Sequence, residues 1–203
     1  MTTTTPGPDG RPRCRWSAAA PEFLAYHDTE WGFPVADDRR LFEKLCLEGF
    51  QSGLSWRTIL AKRENFRAAF VDFDIPQVAR YGEREVERLL QDVGIVRHRG
   101  KIEAVINNAR CAVAMLDREG SLAAFVWRYE PDPAQLPEPQ TVSTSPVSIA
   151  LSKDLRKLGW KFVGPTTVFA FMQAMGLISD HANDCAIRPL AERERRAFTR
   201  PGR

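Results

Sequence analysis

The sequence predicts an all-α fold. Three observations carry this: apolar residues recur at helical spacing through most of the chain, no segment alternates in the manner of a strand, and two similar glycine-bounded corners join helix to helix. With 203 residues, 43% of them hydrophobic, the chain suits one globular domain or two small helical lobes around a real core.

The N-terminal stretch MTTTTPGPDGRP is rich in Thr, Pro and Gly. It holds too little apolar surface to offset the entropy of ordering, so residues 1–12 are expected to form a disordered tail. The folded domain is expected over 13–188. It opens with CRWSAAAPEFLAYHDTEWGFPVADD, read as loop with a short helix from Pro21 to Tyr26. That segment concentrates Cys14, Trp16, Tyr26, His27 and Trp31, an unusual load of large rings for an irregular stretch.

From Arg39 to Phe50 a helix is expected, capped by Asp37 or Asp38, with Leu41, Leu45 and Glu48 on one face. Ser55 caps the next, which carries Trp56, Ile59, Leu60, Phe66 and Phe70. Further helices fit Glu83 to Asp92, Gly100 to Leu116 and Leu122 to Trp127. The proline-rich segment from Tyr129 to Pro146 reads as a surface connection between lobes, before helical spacing resumes at Ser148 to Leu158. Residues 189–203, AERERRAFTRPGR and its approach, are expected to fray as a charged tail.

In the corner after Leu158, Gly159 supplies the left-handed turn that ends one helix, and Pro165 suits the first position of the next. Gly164 lets the backbone approach a partner closely. The exposed N–H groups around Thr166, with Lys161 beside them, read as an anion site of the kind that grips a nucleic-acid phosphate. An ordinary helix-turn-helix corner is the alternative. The second corner, Gly94 to Lys101, gathers Arg97, His98, Arg99 and Lys101, and reads either as a phosphate-facing loop or as a solvated turn. A formal charge of +3 and a pI near 8.8 permit nucleic-acid binding without demanding it.

No apolar run is long enough to span a bilayer, and the start lacks the apolar core of a secretory signal, so a cytoplasmic protein is expected. The four cysteines are too sparse for a disulfide framework. Cys14 and His27 form C-x12-H, and His181 and Cys185 form H-x3-C. Together they are a candidate tetrahedral zinc set, with buried core residues as the alternative.

Glu48 is the candidate catalytic group. A carboxylate on an apolar helix face is costly unless paired or used, and Trp16, Tyr26, Trp31 and Trp56 lie outside regular apolar stripes. A carboxylate among such rings makes a box for a flat, positively charged base. The alternative is that the helical period drifts and Glu48 faces water.

The run Leu158-Gly159-Trp160-Lys161-Phe162-Val163-Gly164 resembles the helix-hairpin-helix of DNA repair glycosylases. With LCLEGFQSGLSW, EFLAYHDTEWG and the stretch to Asp180-His181, the chain from about Cys14 to Cys185 resembles the bacterial 3-methyladenine DNA glycosylase I family, constitutive type. One departure is Ser179, where asparagine is expected before Asp-His.

The resemblance implies a helix-hairpin-helix glycosylase fold whose N- and C-terminal regions are tied by a structural zinc on Cys14, His27, His181 and Cys185. It implies that Glu48 and Tyr26 share hydrogen bonds with a base edge, with Trp16, Trp31 and Trp56 as pocket rings. The substrate would be double-stranded DNA containing alkylated bases. The reaction would be flipping of 3-methyladenine and hydrolysis of its N-glycosidic bond by a monomeric enzyme, leaving an abasic site. Phosphate contacts fall to Lys161, Gly164, Thr166, Arg97, Arg99 and Lys101. Asp180 stays outside the catalytic set, and Pro165, Thr166 and Thr167 stand where strand-cutting relatives carry a lysine, so lyase action is not expected. The rival reading is a sequence-neutral DNA-binding or scaffold module. A small-molecule hydrolase would need a nucleophile elbow or an open metal site, and the sequence shows neither.

Overall fold

A computed structural model describes residues 3–202, which form a helical domain with one small hairpin. The helices are α1 (Pro21–Thr29), α2 (Asp38–Gln51), α3 (Trp56–Ala61), α4 (Arg63–Ala69), α5 (Ile75–Ala79), α6 (Glu83–Gln91), α7 (Arg99–Glu119), α8 (Leu122–Val126), α9 (Pro146–Lys157), α10 (Pro165–Ala174) and α11 (Arg188–Ala197). Among the described residues no helix is long and apolar enough to cross a membrane.

The domain is built around α2. Every residue from Leu41 to Phe50 is buried, with α3, α7, α8 and α10 packed around the helix. A helix enclosed on all sides has no solvent face, so the burial of Glu48 follows from the position of its helix rather than from its place on a stripe. The Asp37 carboxylate accepts from Arg40 N at 2.8 Å and starts α2. At the other end Lys101 Nζ donates to the carbonyls of Phe50 (2.9 Å) and Ser52 (2.5 Å), satisfying acceptors that the helix end leaves open.

Other caps act as the sequence predicts. Ser55 accepts from Thr58 N at the start of α3, and Pro165 occupies the first turn of α10. The single helix expected after Ser55 is two, because the backbone breaks at Lys62 between α3 and α4.

Both tail assignments are corrected. Instead of being disordered, the N-terminal stretch pairs as β1 (Thr4–Pro6) and β2 (Pro12–Cys14), antiparallel, with Thr4 opposite Cys14; residues 1 and 2 lie outside the described residues. Composition misses this because the pairing is polar. Thr4 Oγ1 donates to Asp184 at 2.5 Å, Ala186 N donates to Pro12 O at 2.9 Å, and buried Arg13 bridges Asp9 and Asp28. The C-terminal stretch does not fray: α11 continues into Phe198, whose ring lies 4.5 Å from that of fully buried Trp127. Arg195 stacks over the same indole and, with Arg200, pairs with Glu130.

The corner between α9 and α10 is held from below by α7. The Asn108 side chain accepts from Lys161 N (2.8 Å) and donates to Lys161 O (2.9 Å), while Asn107 donates to Gly159 O (2.8 Å). Gly159 takes φ +87°, and Phe162, unusually for a side-chain-bearing residue, takes φ +55°. A Cβ at Gly49 would sit 3.2 Å from Phe162 Cβ, so the glycine on α2 lets this corner seat against the helix that carries Glu48.

Candidate active site

Four residues far apart in the chain meet in one buried cluster. Cys14 ends β2, His27 lies in the last turns of α1, and His181 and Cys185 come from the turns between α10 and α11. Their ligand atoms all lie within 4.8 Å of one another. His27 Nε2 is 3.2 Å from His181 Nδ1 and 3.6 Å from Cys185 Sγ, and Cys14 Sγ is 3.7 Å from His181 Nδ1.

The other ring nitrogens decide what these contacts are. His27 Nδ1 is 2.6 Å from the Asp28 carboxylate, and His181 Nε2 is 3.0 Å from the Trp31 carbonyl. Both partners only accept, so each ring donates there and turns a lone pair toward the cluster. Around a tetrahedral zinc, bond lengths of about 2.0–2.1 Å to nitrogen and about 2.3 Å to sulfur set N···N edges near 3.3 Å and N···S edges near 3.5 Å. The cluster has that spacing and the donor types of a closed structural site. Asp28, itself held by Arg13, stands where an outer carboxylate would fix His27 as a ligand. Gly32, at φ +85°, leaves room for the His181 ring, since a Cβ there would lie 2.8 Å from Nε2.

A cleft adjoins the cluster. It is lined by Trp16, Tyr26, Trp31, Glu48, Gln51, Trp56, Ala170 and Gln173, and encloses about 170 Å³. The structure therefore brings together all five residues assigned to the base pocket. The Trp16 and Trp31 rings are 5.0 Å apart at 73°, and those of Tyr26 and Trp56 are 5.5 Å apart at 44°. Trp31 also meets His181 edge-on at 4.7 Å, so one wall of the cleft is the outer side of the Cys-His cluster. Glu48 is 6% exposed and enters from α2. Desolvation pushes the Tyr26 phenol well above its ordinary value, with the Glu48 charge adding to the effect, so it stays a neutral donor.

One residue of the cleft wall and one behind it, beyond Tyr26 and Trp56, carry no mark in the sequence pattern of the pocket. Gln173 on α10 donates to Asp180 at 2.5 Å, and Asp180 also accepts from Gln140 N at 2.9 Å. Asp180 thus positions a glutamine of the cleft wall, and burial raises its carboxyl above the ordinary range. The other is Lys44, whose ammonium lies 2.7 Å from Glu48 Oε1. It stands four residues before Glu48, a spacing that places both on one side of a helix and is the signal that could have found it.

The basic residues divide. Lys161 and Thr166 are exposed at the corner, and α10 starts without a side-chain cap. Gly164 has φ −63°, and a Cβ there would make only an ordinary 3.5 Å contact with Arg156, so nothing inside the protein requires glycine. Arg97 is also exposed. Arg99 and Lys101, expected on the same surface, are engaged elsewhere. Arg99 pairs with Glu83, Glu87 and Glu103, and Lys101 is buried against the end of α2. Counting charges within one loop misses the carboxylates of α6 that face it.

The fold around this cleft is that of a DNA glycosylase. The structure of 3-methyladenine DNA glycosylase I from Staphylococcus aureus, solved for its recognition of 3-methyladenine, superposes with a TM-score of 0.80 at 37% identity, covering 87% of this chain and 96% of that one. Escherichia coli (strain K12) DNA-3-methyladenine glycosylase 1 is 49% identical over 87% of this chain and 97% of its own length. The Haemophilus influenzae DNA-3-methyladenine glycosylase is 44% identical over 85% and 96%. Residues 16–188 match the methyladenine glycosylase family, and the chain belongs to that family of glycosylase enzymes.

Proposed function

We propose that this chain is a monofunctional DNA-3-methyladenine glycosylase of base-excision repair. It flips the alkylated nucleotide out of double-stranded DNA into the cleft and hydrolyses its N-glycosidic bond. The observation that carries this is Glu48, a buried carboxylate opening into a cleft walled by Trp16, Tyr26, Trp31 and Trp56.

Adenine methylated at N3 is cationic in DNA. Aromatic faces and a carboxylate favour such a ring over a neutral one, and the damaged base costs less to unstack. The Glu48 carboxylate accepts from the amino edge of the base, and neutral Tyr26 donates. The charged base is already a good leaving group: the bond to the sugar breaks with its electron pair going to the base, which leaves neutral, and water adds to the cationic sugar carbon and releases a proton to solvent, leaving an abasic site. Excision therefore requires recognition more than acid catalysis. No lysine stands early in α10, where Pro165, Thr166 and Thr167 lie, so the strand is not cut by a Schiff-base step.

The corner Gly159 to Gly164, with the start of α10, acts as a helix-hairpin-helix that holds the phosphate backbone. Lys161, Thr166 and the bare backbone at Gly164 make the contact, and Arg97 extends it. Cys14, His27, His181 and Cys185 hold a structural zinc. The enzyme works as a cytoplasmic monomer. A binding or scaffold module would have no use for a carboxylate enclosed by four rings. The test is incubation with methylated duplex DNA and chromatography of the released base. Free 3-methyladenine with an unbroken strand is expected, whereas no released base, or strand cleavage without added alkali, refutes the assignment.

A further inference from the structure

Lys44 lies one turn before Glu48 on α2 and is 6% exposed. Its ammonium is 2.7 Å from Glu48 Oε1, donates to the Tyr26 hydroxyl at 2.7 Å, and sits 3.4 Å from the centroid of the Trp56 ring. One buried cation thus touches three of the five residues of the proposed base pocket. We propose that Lys44 is a positioning residue for excision: it fixes Glu48 and Tyr26 in the orientation that meets the base edge, and it holds Trp56 from one face. The inference rests on the reading of this cleft as the base pocket.

Hydrogen-bond valence and charge both support this role. An ammonium only donates, so the Tyr26 oxygen is an acceptor toward Lys44 and its own proton must point elsewhere. With Oε1 of Glu48 taken by Lys44, Oε2 remains for a ligand. A buried carboxylate without a partner is strongly disfavoured, and removing one member of a buried pair leaves the other uncompensated. Lys44 therefore supplies the counter-charge that the buried Glu48 carboxylate needs before the cationic base arrives. The ammonium over Trp56 also locks that indole by cation–π contact.

The charged surroundings make the role testable by pH. Facing Lys44 are Tyr26 from α1, Glu30 at its C-terminal end, Arg40, Glu43 and Glu48 from α2, and Arg63 and Arg67 from α4. Arg63 pairs with Glu30 and Arg67 with Glu43, so these neighbours largely neutralise one another. Burial pulls Lys44 below the ordinary lysine value, against the raising effect of Glu48. Desolvation moves Tyr26 the other way, upward; burial opposes the charge of Arg63, yet its hydrogen bonds to Glu30 raise it. As pH rises from neutral, Lys44 is the group among these whose shift brings its titration earlier. Loss of its proton breaks the contact to Glu48.

Single-turnover release of 3-methyladenine from methylated duplex DNA, followed from about pH 6 to pH 10, tests this. The wild-type rate is expected to fall on the alkaline side, beginning below the ordinary lysine range near 10.4. Lys44→Arg, which keeps its charge, should move that limb out of the range, and Lys44→Met should run about tenfold slower at neutral pH with no alkaline limb. A merely structural lysine would lower the active fraction without moving a limb. A wild-type profile flat to pH 10, or a Lys44→Met profile matching wild type, overturns the proposal. If Lys44→Met does not fold, the wild-type and Lys44→Arg profiles decide. Glu48→Gln measured alongside separates the two claims: full activity there refutes the base pocket itself, whereas slow Glu48→Gln with normal Lys44→Met refutes only the role of Lys44.

Discussion

His27 Nε2 and His181 Nδ1 face each other at 3.2 Å, each ring having already donated its proton outward, to Asp28 and to the Trp31 carbonyl. Two lone pairs at that distance repel unless a cation lies between them, and Cys14 and Cys185 complete the donor set. Protein purified without added metal should carry about one zinc per chain by elemental analysis. Chelation should lower the thermal midpoint, while excision at low temperature by the protein that remains folded changes less. A metal-free preparation of full stability, or full zinc occupancy in a Cys14→Ser, Cys185→Ser double variant, refutes the assignment.

Glu48→Gln preserves size and one acceptor but removes the charge. Loss of a charge-assisted hydrogen bond to the base is worth about 1.5–3 kcal/mol, which corresponds to roughly a tenfold to hundredfold slower single-turnover excision. Affinity for undamaged duplex should hardly change. Wild-type excision by a folded Glu48→Gln protein would remove Glu48 from the reaction.

Lys161 and Lys101 should part company. Lys161→Ala should weaken binding to all duplex sequences alike and flatten the salt dependence by about one unit. Lys101→Ala strips two carbonyls at the end of α2 of their donor and should lower stability by about 1–3 kcal/mol in denaturant titrations, with an unchanged salt slope. Equal salt slopes for wild type and Lys161→Ala would show that the corner does not hold phosphate.

Removing α11 together with the C-terminal residues beyond it, by a stop after Ile187, uncovers Trp127 and deletes Arg188, whose guanidinium donates to the His181 carbonyl at 2.6 Å. A loss on the order of 2–5 kcal/mol is expected, the range for opening a buried aromatic site. Unchanged unfolding of the truncated chain would return this segment to the status of a tail.

The helices were legible because their signals are local. Asp37, Ser55 and Pro165 mark starts through backbone chemistry that needs no partner elsewhere, and the spacing of Leu41 and Leu45 follows from 3.6 residues per turn. The pocket residues and the Cys-His set were legible from a few long runs that resemble a family. The hairpin of β1 and β2 was not, because its strands are held by Asp184, Ala186 and Asp28, none of them a sequence neighbour that composition would weigh.

The sequence by itself determined which residue types this protein has for its chemistry: two cysteines and two histidines at C-x12-H and H-x3-C spacing, one carboxylate among aromatic rings, and a glycine-bounded corner with a lysine. Tertiary structure alone decided how each is engaged. It buried α2 on every side, so that Glu48 needs Lys44 as a counter-ion, and it set α6 against α7, so that Arg99 is neutralised by carboxylates while Lys161 stays free to meet solvent. The reason is range: helix periodicity and capping act within a turn or two, whereas the charge and burial of a side chain depend on whatever the fold brings beside it.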